Sequence, residues 1–370
     1  MTEQMQTQTS FFGLSPNDIK ELLLSWDERP YRTKQIHEWY FGKREFSLDN
    51  MTDLPAALRS KLQEKLCWKL PEIVSSLDSP DGATKILLRT DKNQMIEMVI
   101  LRYENRTALC VSSQVGCKLS CSFCQTGKLG FFRNLSTAEI ISQFALAETI
   151  VRKEGRSISN VVFMGMGEPL DNFESTVKAV QILINPEGFG LSHRKVTLST
   201  SGIADKIRLL SDHTRVALAI SLHACRDELR NSLMPINRRY PLAELKEAIK
   251  HYQKASDTKI TFEYILIKDK NMGKQEAKEL VQFLQGIPSK VNLIPFNPHP
   301  GMPFERPSAE EIDVFQRYLL DRGFVATVRY SKGREVSGAC GQLAAKKIEQ
   351  LHETPQRKSV IAPKDVHSEH

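Results

Sequence analysis

From Thr107 onward the hydrophobic pattern switches repeatedly between a period of two and a period of 3.6. That alternation constrains the fold of this 370-residue chain more than any other feature. Strands are expected at 107–113, 160–164, 195–199, 216–222, 260–267, 290–295 and 325–329. Helices are expected between them at 137–154, 173–184, 204–211, 242–253, 274–285 and 309–322. Six successive strand–helix units call for a parallel sheet with right-handed crossovers. The expected class is therefore α/β, either a partial (β/α)6 barrel or an open doubly wound sheet. In both, functional side chains gather at the C-terminal ends of the strands.

The first 95 or so residues read differently. Ser15 is a helix cap, Pro16 suits a first turn, and Ile19, Leu22, Leu23 and Trp26 share one face. A second amphipathic stretch, 31–41, carries Ile36, Trp39 and Tyr40, and a third runs from Leu54 to Leu66. Strands at 83–89 and 94–101 flank a turn at Asp91. The expected organisation is a helical accessory domain over 1–95 leading into a β-hairpin, a core over 96–345, and a charged, disordered tail over 346–370.

No run approaches 18 apolar residues, so no membrane span is expected. The polar N-terminus lacks a secretory pattern, and the cytoplasm is the expected compartment. The net charge of +7 leaves a nucleic-acid partner open. Basic clusters at Arg102/Arg106, Arg194-Lys195, Arg238-Arg239 and Lys346-Lys347 could meet phosphates or be solvated charges. Seven cysteines, an odd number without a secretory signal, favour metal binding or catalysis over disulfides.

Three of the seven, Cys117, Cys121 and Cys124, have the spacing C-x3-C-x2-C just after the first core strand. A tight loop can turn three such thiolates toward one cluster. Structural zinc takes four protein ligands, and no nearby fourth Cys or His completes this set. A four-iron cluster held by three sulfurs leaves one iron open to a substrate or cofactor. The alternatives are a zinc site completed by a distant residue such as His223, or three redox-sensitive thiols.

This spacing after a first strand resembles the signature of radical S-adenosylmethionine (SAM) enzymes, whose fold is a partial (β/α)6 barrel. Longer segments are similar to the RlmN/Cfr family of RNA adenine methyltransferases. They are Cys110–Cys117, Cys121–Phe131, Arg133–Leu135, Met164–Asn172, Leu198–Gly202, Ile220–Ala224, Pro235–Pro241, Asn292–Pro298 and Ala339–Leu343, in the family's order.

The resemblance implies one [4Fe–4S] cluster on Cys117, Cys121 and Cys124, and two SAM molecules per turnover. It implies SAM contacts from Gly167, Glu168, Ser199, Ser221, Leu222, His223 and Asn297. Cys340 would be S-methylated, Cys110 would be its redox partner, and Glu97 would accept the ring proton. One SAM methylates Cys340, and a second yields the radical that takes hydrogen from the new S-methyl group. The sulfur-bound methylene adds to the adenine, and Cys110 releases the product by forming a disulfide with Cys340. The implied product is 2-methyladenosine at position 2503 of 23S rRNA and at position 37 of tRNA. The Cfr-type alternative is C8 methylation of the same rRNA adenosine, and a zinc-stabilised RNA-binding module is the reading from another class. A flavodoxin- or ferredoxin-like electron donor and a monomeric state complete the expectations. Cys67 and Cys225 fall outside the pattern and are expected to be structural.

Overall fold

The computed structural model of the chain describes residues 8–343 apart from Pro300. The expected disordered tail at 346–370, with Lys346-Lys347, lies outside the described residues.

The N-terminal part begins with β1 (Thr9–Ser10), followed by α1 (Pro16–Ser25), α2 (Pro30–His37), α3 (Ala56–Lys65) and β2 (Leu66–Cys67). Ser15 caps α1 through a reciprocal box with Asp18. The helix expected over 31–41 is α2 followed by a wider π-turn at Glu38–Gly42, which turns Tyr40 and Phe41 inward. Tyr40 and Phe41 meet Phe189 at ring distances of 5.4 and 5.1 Å, and Phe144 meets it at 4.7 Å. Arg44 reaches the fully buried Glu148 at 3.2 Å. The helical part is thus fastened to the core by an aromatic cluster and a buried ion pair.

The core begins with β3 (Glu72–Asp78), β4 (Ala83–Arg89), β5 (Met95–Arg102), β6 (Thr107–Cys110) and β7 (Gln114–Gly116). Then come α4 (Gln125–Lys128), β8 (Phe131–Asn134), α5 (Thr137–Arg152), β9 (Asn160–Phe163), α6 (Phe173–Ile184), β10 (Val196–Thr200), α7 (Ala204–Leu210) and β11 (Ala217–Ser221). The rest is α8 (Asp227–Leu233), α9 (Leu242–Ser256), β12 (Ile260–Leu266), α10 (Lys274–Leu284), β13 (Ser289–Pro295), α11 (Ala309–Leu320) and β14 (Val325–Val328).

Ten strands form one sheet in the order β14-β13-β12-β11-β10-β9-β6-β5-β4-β3. From β6 to β14 the pairs are parallel, and β3, β4 and β5 extend the β6 edge antiparallel. The strands from β6 to β13 in that run give the six expected β/α units, with β14 as a closing parallel strand. The hairpin of β4 and β5 spans residue 95 and shares the core's sheet. Helix starts follow sequence cues: Ser136 and Glu139 cap α5, and Ser308 and Glu311 cap α11.

Four differences from the sequence expectation bear on the site and its surroundings. The strand expected over 107–113 ends at Cys110, because Ser112 leaves the ladder. Its Oγ donates to the Glu97 carbonyl and accepts from Met166 N. The second difference is β3, an edge strand with Ile73 and Leu77 exposed. The third is the short hairpin of β7 and β8, and the fourth is α8. None of these three has enough residues, or enough burial, to show a period.

Candidate active site

Residues after β6 are braced into a shelf at the C-terminal end of the sheet. Gln143 clamps Ser112, accepting from its N–H at 2.9 Å and donating to its carbonyl at 3.0 Å. Asn172 donates to the carbonyls of Ser113 and Leu135. The β7–β8 hairpin then sets the start of the cysteine loop, where Cys117 N donates to Gly130 O at 2.8 Å. Gly116 has φ +75°, and a Cβ there would lie 2.0 Å from the Gly130 carbonyl oxygen. Only glycine lets the two strands approach so closely.

A cavity of about 170 Å3 opens at the strand ends. Cys117, Cys121 and Cys124 line it together with Gly167, Glu168, Ser199, Ser221, His223 and Cys340. The three loop thiols are pushed above the ordinary thiol range, first by burial. Neighbouring cysteines push the same way, on Cys117 and Cys121 most strongly. Bare, these thiols are held protonated, and a bound metal reverses that preference. Among the described residues no three His, Cys, Asp or Glu side chains meet at one point as a single ion requires. Three thiols lining one buried, largely apolar cavity are the donor type an iron–sulfur cluster uses.

Lining the same cavity, Glu168 is buried with its carboxylate fixed. Oε1 accepts from Leu170 N at 3.1 Å, and Oε2 accepts from Ser201 N and Oγ, both at 2.8 Å. Burial raises its pKa, and the bonds from Ser201 and Thr200 oppose the rise. Its backbone N–H is held by Gln114 Oε1 at 2.9 Å. Gly167, at φ +100°, lets Gln114 pack against the turn, since a Cβ would meet Gln114 Cβ at 2.5 Å. The result is a rigid acceptor suited to an ammonium group.

His223 adopts φ 62° and packs edge-on to Phe123, with ring centroids 4.8 Å apart. Its Nδ1 accepts from Ile265 N at 3.1 Å, which leaves the proton on Nε2. Burial, reinforced by Arg230, pushes its pKa down to about 3. It is a neutral donor in this cavity, not a cation.

A second cavity of about 30 Å3 adjoins the first. Cys110, Cys340, Val99, Tyr103 and Arg329 line it. Burial, with Cys340 adding to it, pushes the Cys110 thiol up to about 12. The segment carrying Cys340 is strapped to the hairpin of β4 and β5. Asp81 Oδ2 accepts from Gly333 N at 2.7 Å, Lys85 Nζ donates to Ser337 O at 3.4 Å, and Lys332 Nζ donates to Arg102 O at 3.0 Å.

Three expected residues lie outside both cavities. Glu97 is buried on β5 and paired with Lys85 at 3.3 Å. It stands two residues from Val99, whose Cα partner is Cys110. The Leu222 side chain is in the core, and its carbonyl accepts from Arg230. Asn297 spends its amide on Ser331 Oγ and the Cys340 carbonyl. Of the basic clusters, Arg102 is consumed by Glu154 at 2.7 Å. Arg106 and Arg239 stack on Tyr103 and Tyr240. Cys225 is half-buried, and its thiol is raised by burial.

Gln114, Ser201 and Arg230 organise the site without having been singled out from sequence. Gln114 and Ser201 stand inside motifs that were read, whereas Arg230 carries no sequence signal.

A parallel α/β sheet with three cysteines on the loop after its first parallel strand defines the radical SAM class. The sequence profile of the Radical SAM superfamily matches residues 111–284, and that of the Ribosomal RNA large subunit methyltransferase N-terminal domain matches residues 9–67. A Francisella tularensis protein named dual-specificity RNA methyltransferase RlmN is 45% identical, covering 92% of this chain and 93% of its own. A protein of the same name from Ruthia magnifica is 42% identical over 94% of this chain and 99% of its own. A radical SAM methyltransferase from Sphaerobacter thermophilus superposes with TM-score 0.87 at 42% identity, covering 90% of this chain and 98% of that one. The chain belongs to the RlmN family of radical SAM RNA methyltransferases. A zinc-stabilised binding module without such chemistry is set aside by these matches. No helix among the described residues is long and apolar enough to cross a membrane.

Proposed function

We propose that the enzyme methylates C2 of an adenosine in 23S rRNA, at position 2503, and of adenosine 37 in tRNA, with Cys340 as the methyl carrier. The observation that supports this most directly is the place of Cys340 on the walls of both cavities. One cavity offers the polar groups that suit SAM; the other holds the second thiol. A single sulfur at their junction can take a methyl group from one side and be attacked from the other. The chain's likeness to proteins named for dual RNA specificity supports two RNA substrates, and the proposed compartment is accordingly the cytoplasm.

A [4Fe–4S] cluster on Cys117, Cys121 and Cys124, when bound, supplies the electron that cleaves SAM. Glu168 takes the SAM ammonium, with Gly167 giving the turn its close approach. Ser199, Ser221 and the His223 Nε2–H offer further polar contacts along the strand ends, and Asn297 holds the Cys340 carbonyl. Burial keeps Cys110 as a neutral thiol, so it does not attack the Cys340 sulfur before its own proton is taken. Glu97, held by Lys85 on the strand beside Cys110, is the proposed acceptor of the ring proton.

Nucleoside mass analysis tests the reading. RNA modified by the purified holoenzyme is expected to contain 2-methyladenosine in both 23S rRNA and tRNA. Only 8-methyladenosine in the rRNA overturns the regiochemistry, and unmodified tRNA overturns the second substrate.

A further inference from the structure

Arg230 is fully buried on α8, a helix of seven residues behind the strand ends. Its guanidinium makes four hydrogen bonds, and every acceptor is neutral. Nε donates to Leu222 O at 3.0 Å, and one terminal nitrogen donates to Asn237 Oδ1 at 2.7 Å. The other donates to Ser201 O at 2.6 Å and Ser221 O at 3.2 Å. No carboxylate bonds the guanidinium directly; Asp227 reaches it only through Asn237, whose Nδ2 donates to Asp227 Oδ1. A buried cation with no directly bonded counter-charge is disfavoured, and further negative charge nearby offsets that cost.

Burial lowers the Arg230 pKa to about 10, and the nearby acidic groups Cys121, Cys225 and Asp227 oppose the fall. Asp227 also accepts from Leu242 N at 3.0 Å, so its charge is shared with the start of α9. Cys121 belongs to the cysteine loop. That loop is also tied to the helix, because Ser122 N donates to Leu233 O at 2.9 Å. The same guanidinium grips Ser201, whose N–H and hydroxyl fix Glu168, and the Ser221–Leu222 segment at the end of β11. One side chain therefore spans the cysteine loop's support, the ammonium acceptor and the adjoining strand end.

We infer that Arg230 is a positioning residue whose charge balances the anionic cluster at Cys121 and whose planar fork sets the SAM shelf formed by Ser201, Ser221 and Leu222. This rests on the cluster and SAM reading given above. Reduction adds a negative charge to the cluster, and a fixed cation behind the sulfur favours the reduced state. The charge and the fork are separable, because lysine keeps the first and loses the second.

Reconstituted wild type, Arg230→Lys and Arg230→Gln are compared anaerobically after iron and sulfide analysis. The midpoint potential is measured without SAM, and SAM binding is measured on the oxidised protein by equilibrium dialysis. Arg230→Gln is expected to disfavour one-electron reduction about tenfold, a fall of about 59 mV. Arg230→Lys is expected to keep the wild-type potential. Both are expected to bind SAM at least fivefold more weakly. A wild-type potential in Arg230→Gln, an equal fall in both variants, or undiminished SAM binding in Arg230→Lys overturns the inference. Should Arg230→Gln hold no iron, Arg230→Lys decides alone. An unchanged potential with weaker SAM binding sustains the inference, and a potential that falls with the affinity overturns it. Wild-type protein that holds no cluster would instead overturn the reading on which it rests.

Discussion

Gly116 and Gly190 share a backbone conformation, with φ of +75° and +64°, yet their surroundings are opposite. Nothing lies within 4 Å of a Cβ added at Gly190. At Gly116 the same atom falls 2.0 Å from Gly130 O and 3.1 Å from Gly130 C. In Gly190→Ala the loss is conformational, about 1–2 kcal/mol for an L-residue in the left-handed region. Gly116→Ala carries that cost and more. An ordinary C···O contact is about 3.3 Å, so the hairpin must open by more than 1 Å. Forcing atoms into a packed region costs about 1–3 kcal/mol, and loss of the Cys117 N–H bond to Gly130 O adds about 1 kcal/mol. The expected destabilisation of Gly116→Ala is therefore about 3–6 kcal/mol. Cys117 immediately follows the strained residue, so cluster loading should fall with it. Urea unfolding of the apo-proteins at one pH gives the energies, and iron content after reconstitution gives the loading. If Gly116→Ala costs no more than Gly190→Ala, or loads iron as wild type does, close strand approach is not what glycine provides there.

Two further outcomes follow from the buried polar groups. His223 has a folded pKa of about 3 against an ordinary 6.5, so the unfolded chain takes the proton first and stability is lost as pH falls through that window. Between pH 8 and pH 5 the loss is about 2 kcal/mol, and His223→Gln apo-protein should be spared it. Equal losses in urea titrations of the two proteins would refute the assignment of a neutral imidazole. Ser201→Ala removes one hydroxyl from Glu168 and leaves the backbone donor in place. SAM binding to the oxidised holoenzyme should weaken about fivefold, the worth of one bond of about 1 kcal/mol; unchanged affinity would show that Glu168 does not need that support.

The repeated core was legible because its helices carry both a stripe and a start signal. In α5 the Ser136–Glu139 box stands where the sequence places it, and the inward faces of the central strands leave little ambiguity. The hairpin of β7 and β8 was not legible. Its strands have three and four residues, and what holds them is a backbone approach at Gly116 and Gly130. Likewise α8 has seven residues and buries an arginine, a residue type that pattern reading assigns to the surface. The cysteine loop stood out because its spacing is local. The neighbourhood of Cys110 and Cys340 rests instead on which strand ends face each other across the cavity. From the residues alone that could only be implied by resemblance. Lys85 beside Glu97 is a cross-strand matter of the same kind, since a lone lysine in a strand reads as a solvated charge.

The strap that fastens the Cys340 segment to the hairpin of β4 and β5 also sets a timetable. Cys124 is synthesised 216 residues before Cys340. At about 5–20 residues per second the interval is roughly 10–40 s. During it the cysteine loop and its supporting strands can form, while the wall that carries Cys340 does not yet exist. The cavity then lacks the lining that Cys340, Gly341 and Leu343 supply in the finished chain. Metal delivered in that interval meets three cysteines without that wall. Metal delivered later meets a cavity whose Cys340 segment is already pinned by Asp81, Lys85 and Lys332. The cavity that holds the three cysteines thus gains the wall bearing Cys340 late in translation.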